Sequence, residues 1–173
     1  MSQSGSLRSF ESESLQAVEL PYEDERLSML VIVPKAGKYA EVESSLTTEA
    51  LATIDSGLRA QDVNLHLPRF KFASPLSLKE SLEQLGMSGA FSNDADFSGM
   101  TPTKLMIADV VHKAFVAVGE KGTEAAAATA VVLGRKSSPD GLYLVANRPF
   151  MFVLRDRPTG AILFLGRVMD PSL

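Results

Sequence analysis

Two histidines, one basic pair and one run of alanines are the residues of this 173-residue chain with chemistry to weigh. His66 and His112 lie far apart in sequence, and there is no cysteine. Disulfides, thiolate catalysis and cysteine zinc sites are therefore excluded. A metal site would need distant carboxylates to complete either histidine, so no metal and no cofactor are expected. Asp94 and Asp96 have poor ligand spacing for a calcium loop and read as part of a solvated turn. No nucleophile–His–acid motif stands out, so the chain is not expected to be an enzyme. Arg135 and Lys136 sit in GRKSSPDG, where Pro139 and Gly141 oppose a regular strand. Taken alone, they are a solvated basic pair in an exposed segment. Upstream, the alanines of EKGTEAAAAT (120–129) favour a helix on composition, Ala being the best helix former.

The elements that must position these residues are mostly strands. LQAVELPY (15–22) alternates apolar and polar residues, EDER (23–26) is a turn, and LSMLVIVP (27–34) is nearly all apolar. This pattern predicts an antiparallel hairpin whose second strand is buried on both faces. Across 36–60, Val42, Leu46, Ala50, Leu51 and Ile54 recur at helical spacing and predict one or two short amphipathic helices. VNLHLPRFKF (63–72) alternates again, with Pro68 marking an edge or a bend and His66 on the surface. A short helix is expected over 77–85, stopped by Gly86 in a left-handed conformation. Residues 88–102 are rich in turn formers. The segment 104–120 is compatible with a buried helix, but its β-branched residues favour a strand. Two apolar runs, LYLVANRPFMFVLRD and AILFLGRVMD, close the chain, joined by a hairpin turn at Pro158–Gly160. Residues 1–14, rich in Ser and Glu, are expected to be loosely ordered. The fold class is α+β: mainly antiparallel sheets with a few short helices.

Composition narrows the function classes. The chain is 45% hydrophobic and 22% charged, within the globular range. Its net charge of −4 offers no basic footprint for nucleic acid. No stretch approaches the roughly 18 to 20 apolar residues that cross a bilayer, so no membrane association is expected. The opening MSQSGSLRSF lacks the apolar core of a signal peptide.

Several motifs then fall in one order. EKGTEAAAAT (120–129) resembles the hinge of the serpin reactive-centre loop. LVANRPFMFVL (144–154) resembles the serpin signature, and FLGRVMDP (164–171) looks like the family's carboxy-terminal strand. LHLPRFKF, LEQLGMSGAF, DFSGM and VVHKAFVAVGEKGTEAAAAT follow the serpin order as well. The resemblance covers roughly 15–173 and implies a serpin fold, read as one partial domain over 1–173. Within it, 120–143 would be the reactive-centre loop and 144–173 the carboxy-terminal strands. A complete serpin is roughly twice this length. The amino-terminal half is therefore expected to lie outside this chain, whether as another chain, through truncation, or because the gene encodes only half. Members of the family are often extracellular.

The resemblance implies a bait-loop inhibitor of serine-type endopeptidases. Counting 14 residues from Gly122, the usual family spacing, places the reactive bond at Lys136–Ser137; a one-residue offset would make it Arg135–Lys136. Either choice offers a basic side chain, which implies a trypsin-like target. Protease attack would give an acyl-enzyme, and insertion of the hinge into the central sheet would then trap it. The hinge residues are Glu120, Gly122, Thr123, Glu124, Ala125, Ala126, Ala127, Ala128 and Thr129. Strand alternation puts Thr123, Ala125, Ala127 and Thr129 on one face, which the family implies is the core-facing one. His112 is a gating candidate on the family pattern, or else a satisfied buried histidine. Asn147, Arg148, Pro149 and Phe150 belong to the signature, with Phe150 and Phe152 in the core and Asn147 and Arg148 positioning the chain after the loop. The competing reading is a non-inhibitory or truncated serpin-derived fragment, acting as a protease substrate or as a binding module. Alone, the chain is expected to expose apolar sheet edges and to self-associate.

Overall fold

The structure is a computed structural model and describes residues 1–119, 122–123 and 141–171. The strands are β1 (Ser2–Glu11), β2 (Leu15–Pro21), β3 (Leu27–Pro34), β4 (Arg59–His66), β5 (Phe70–Ser77), β6 (Val111–Gly119), β7 (Gly122–Thr123), β8 (Leu142–Val145), β9 (Phe150–Asp156) and β10 (Ile162–Val168). The α-helices are α1 (Tyr39–Ser45), α2 (Thr48–Gly57) and α3 (Lys79–Leu82), and α3 runs on into a π-helical turn (Glu83–Met87) and a 3-10 turn (Ser88–Phe91). A seven-stranded sheet runs β10-β9-β3-β2-β1-β4-β8, and a three-stranded sheet runs β5-β6-β7. In the larger sheet β4 and β8 are parallel, and the other pairings are antiparallel.

The β2–β3 hairpin forms as the alternation predicts, with Leu15 opposite Pro34 and Pro21 opposite Ser28. β3 lies between β2 and β9 and is buried from Ser28 to Pro34, so both of its faces can be apolar. One face carries Ala17, Leu30, Ile32, Met151 and Val153, packed with Val42 of α1 and Ile54 of α2. Two helices form where helical spacing was read. The Thr47 hydroxyl caps α2 by accepting from the Ala50 N–H at 3.3 Å. On the opposite face of β9, Phe150 and Phe152 meet Phe70, the first residue of β5, with ring centres 5.7 Å (edge-on) and 5.4 Å away. Phe150 and Phe152 are core residues, as expected.

The opening residues correct the sequence reading. Residues 1–14 are not loosely ordered: β1 is an inner strand, paired with β2 on one side and β4 on the other. Polar cross-strand pairs replace the apolar alternation that signals a strand. The Ser2 hydroxyl lies 2.8 Å from His66 Nδ1, the Ser4 hydroxyl donates to Asn64 Oδ1 at 2.8 Å, and the Gln61 amide donates to the Ser9 hydroxyl at 2.7 Å. Such pairs stabilise a sheet without a hydrophobic signature. His66 is accordingly half-buried rather than a plain surface residue.

The last apolar run is also not continuous. It breaks at 146–149 into β8 and β9, and Pro149 lies directly before β9. The β9–β10 hairpin turns where PTG predicts, with Gly160 at φ 72°. Among the described residues 104–119, the strand is Val111–Gly119.

The chain divides into two compact units, Met1–Phe70 with Val118–Leu173, and Lys71–Ala117. The second contains the short helix α3 and a turn at Gly86, whose φ of 98° is the left-handed stop expected there. In this unit Lys79 Nζ lies 5.8 Å from the Phe91 ring centre, and Lys71 Nζ lies 5.4 Å from that of Phe115.

Candidate functional site

The two ends of the proposed bait segment are both built into strands. At its start the chain reverses after β6: Gly119 pairs with Gly122 and Val118 with Thr123, antiparallel. Glu120 and the hinge residues Glu124, Ala125, Ala126, Ala127, Ala128 and Thr129 lie outside the described residues. So do Arg135, Lys136 and Ser137. His112 stands on β6 and is exposed. Burial along this strand begins only at Val116.

At the far end, Gly141 leads into β8. A Cβ on Gly141 would lie 2.8 Å from the Asp62 carbonyl oxygen, so only glycine permits this close approach to β4. β8 then runs parallel to β4, with Leu142 opposite Val63 and Val145 opposite His66. The His66 and Tyr143 rings lie 5.3 Å apart, and the Ala146 N–H donates to the His66 carbonyl at 2.8 Å. Asn147 is exposed. Arg148 and Pro149 are half-buried, and Arg148 Nε is buried without a hydrogen-bond partner. Phe150 closes the signature as one of the largest fully buried side chains.

Behind β9 lies a buried ionic cluster that the sequence reading passed over. Glu19 is only 2% exposed. Its carboxylate accepts from Arg155 Nη2 at 2.7 Å, from the Ser28 hydroxyl at 2.9 Å and from Arg8 Nη1 at 2.7 Å. Arg155 also pairs with Asp55 of α2. Burial pushes the Glu19 carboxyl up, but the hydrogen bonds from Arg155 and Ser28 and the charges of Arg155 and Arg8 outweigh it. The net effect holds Glu19 below its ordinary range. Burial likewise lowers the Arg155 guanidinium, and its bonds to Asp55 and Glu19 raise it more. The signal in the sequence was a glutamate inside the apolar run of β2 and an arginine ending that of β9. A charge in such a run requires a buried partner. The cluster ties α2 to the sheet. Among the described residues, no group of three or more His, Asp or Glu is placed to hold a metal ion.

Both the fold and the sequence have counterparts among known proteins. The family model "Serpin (serine protease inhibitor)" matches residues 1–171. An uncharacterized serpin-like protein of Thermococcus kodakarensis is 45% identical over 99% of this chain and 41% of its own length. Human Serpin B4 is 44% identical over 92% of this chain and 43% of its own. Among solved structures, the thermophilic serpin tengpin in its native state superposes with a TM-score of 0.82 at 31% identity, covering 98% of this chain and 45% of that one. Thyroxine-binding globulin in complex with thyroxine gives 0.85 at 28% identity, covering 100% and 46%. The chain belongs to the serpin (serine protease inhibitor) family. It spans less than half the length of these relatives.

Proposed function

We propose that the chain is the carboxy-terminal part of a serine-type endopeptidase inhibitor, offering residues 120–143 as bait to a trypsin-like protease. The observation that carries this reading is the reversal after β6. Gly122 and Thr123 come back antiparallel on β6, which is the direction an added strand would take. Ala125–Ala128 bring only methyl groups, so a strand built from them would pass packed neighbours at little steric cost. Thr123 and the residues that alternate with it would face inward, where a charge would be costly.

In this mechanism the protease supplies all the chemistry. Its serine oxygen attacks the carbonyl carbon of Lys136, or of Arg135 in the offset register. The bond to the next residue breaks, and the freed amine leaves with a proton from the protease's histidine. The carbonyl stays bound to the serine as an ester. Insertion of the hinge beside β6 then drags the protease and spoils the geometry of its oxyanion hole, so hydrolysis stalls. His112 would gate the advance along β6, and Asn147 and Arg148 would anchor the far end. The amino-terminal part of the family fold is the partner this trap requires.

The test joins this chain behind the amino-terminal part of the Thermococcus relative and mixes the product with trypsin on a denaturing gel. A band at the summed mass is expected, and Thr123→Arg should lose that band while cleavage at 135–137 persists. Cleavage of the parent fusion without a band would contradict the trap. An undiminished band from Thr123→Arg would contradict the role of the hinge.

One observation favours a second reading, a serpin-derived fragment that is a protease substrate and self-associates. The outermost strand β10 exposes Ile162, Leu163 and Leu165, an apolar edge prone to pairing. Light scattering on the 173-residue chain tests this: a mass that rises with concentration supports it, and a constant monomer mass excludes it.

A further inference from the structure

An open cavity of about 650 Å³ lies among β1, β8 and the end of α2, bordered by Phe10, Gln16, Gly57, Arg59, Gln61 and Tyr143. We propose that it is a second contact for the protease held on the loop, receiving a polar surface loop of the protease from outside its substrate cleft. The inference rests on the bait-loop reading above.

Distance comes first. Gly141, which borders the cavity, follows Ser137 by four residues. Consecutive Cα atoms are 3.8 Å apart, so the reactive bond lies within about 15 Å of Gly141 whatever path the chain takes. A domain of about 200 residues has a radius of gyration of about 16 Å. A protease seated on the bond therefore extends far enough to cover the cavity.

The chemistry of the border is that of a protein contact. Tyr143 is 61% exposed, and Arg59 and Gln61 are exposed beside it. Tyrosine and arginine are the side chains that interfaces favour. The amide oxygens of Gln16 and Gln61 offer acceptors, suited to the backbone N–H groups of a polar loop.

The cavity is also held in shape before any partner arrives. Gln61 donates to the Ser9 hydroxyl at 2.7 Å, and the Gln16 amide reaches the Tyr143 carbonyl at 3.5 Å. A Cβ on Gly57 would strike the Phe10 ring at 2.5 Å, so helix end and ring are fitted together. A surface that needs no reordering loses little entropy on binding.

The test measures KM and kcat for trypsin cleavage at 135–137 in the 173-residue chain and in Tyr143→Ser and Gln61→Ala, following the product by mass spectrometry. Thermal unfolding of each variant checks that the fold is kept. KM should rise about fivefold in each variant with kcat unchanged, the mark of lost binding outside the reacting bond. Cleavage at 135–137 with an unchanged KM in both folded variants would overturn this inference and leave the bait-loop reading standing. Absence of cleavage at 135–137 in the parent chain would overturn both.

Discussion

β3 and β9 hide nearly every side chain they carry, including Leu30, Ile32, Phe150 and Phe152. Between Lys71 and Ala117 the pattern is reversed. There Leu76, Leu85, Met100, Leu105, Val111 and Phe115 are all exposed, Leu85 at 81% and Met100 at 85%. Fully burying such a side chain contributes about 1.5–3 kcal/mol, and residues 71–117 forgo that in several places. The sheet is thus stabilised by contacts within its own unit. The other unit, Lys71–Ala117, carries apolar surface that its own residues leave open to solvent. Apolar composition alone therefore does not mark a core; a core needs a second layer within reach.

The largest test of this contrast removes one partner of the buried ionic cluster. Arg155→Ala strands the Glu19 carboxylate in the sheet and should cost about 3–5 kcal/mol, measured by urea unfolding. A loss below about 1 kcal/mol would show the cluster to be hydrated. Phe150→Ala should cost about 3–5 kcal/mol through the cavity it leaves, in the same assay. Gly166→Ala should cost about 1–3 kcal/mol, because its new methyl falls on the ring of buried Phe152.

The same cluster sets an acid limit. Glu19 is held below its ordinary value of 4.5, so its stabilising contribution is complete above that pH. It is lost as pH falls through the lower value in the folded protein. Asp156, lowered by the Thr159 hydroxyl and by Arg26, acts in the same direction. Urea midpoints should drop between pH 5 and pH 3, and Glu19→Gln should flatten that drop. An equal drop in the variant would assign the acid limit to other groups. The smallest effect belongs to 71–117: Met100→Gln should change stability by less than about 0.5 kcal/mol, since that side chain packs on little. A loss above 1 kcal/mol would mean that Met100 is covered in solution.

Much of the fold was legible because burial and period coincide. The 15–34 hairpin, the helical spacing of Val42 and Ile54, the stop at Gly86 and the turn at Gly160 each follow from local patterns. β1 escaped because it is held by backbone bonds and by Ser–His, Ser–Asn and Gln–Ser pairs, which leave no apolar period. The break at 146–149 was masked by apolar residues on both sides. Of the site, Phe150 was readable as core. The need for glycine at 141 was not, because it depends on the Asp62 carbonyl, distant in sequence. The Glu19–Arg155 pair likewise joins residues far apart in the chain, whose only local sign is a charge in an apolar run.

The central claim is that residues 120–143 present a basic bait, and limited trypsin digestion of the intact chain tests it most directly. The first cut, mapped by mass spectrometry within the first minutes, should fall after Lys136 or Arg135, ahead of Arg59, Lys71 and Arg155. A first cut elsewhere, with the 135–137 bonds left whole, would contradict the account.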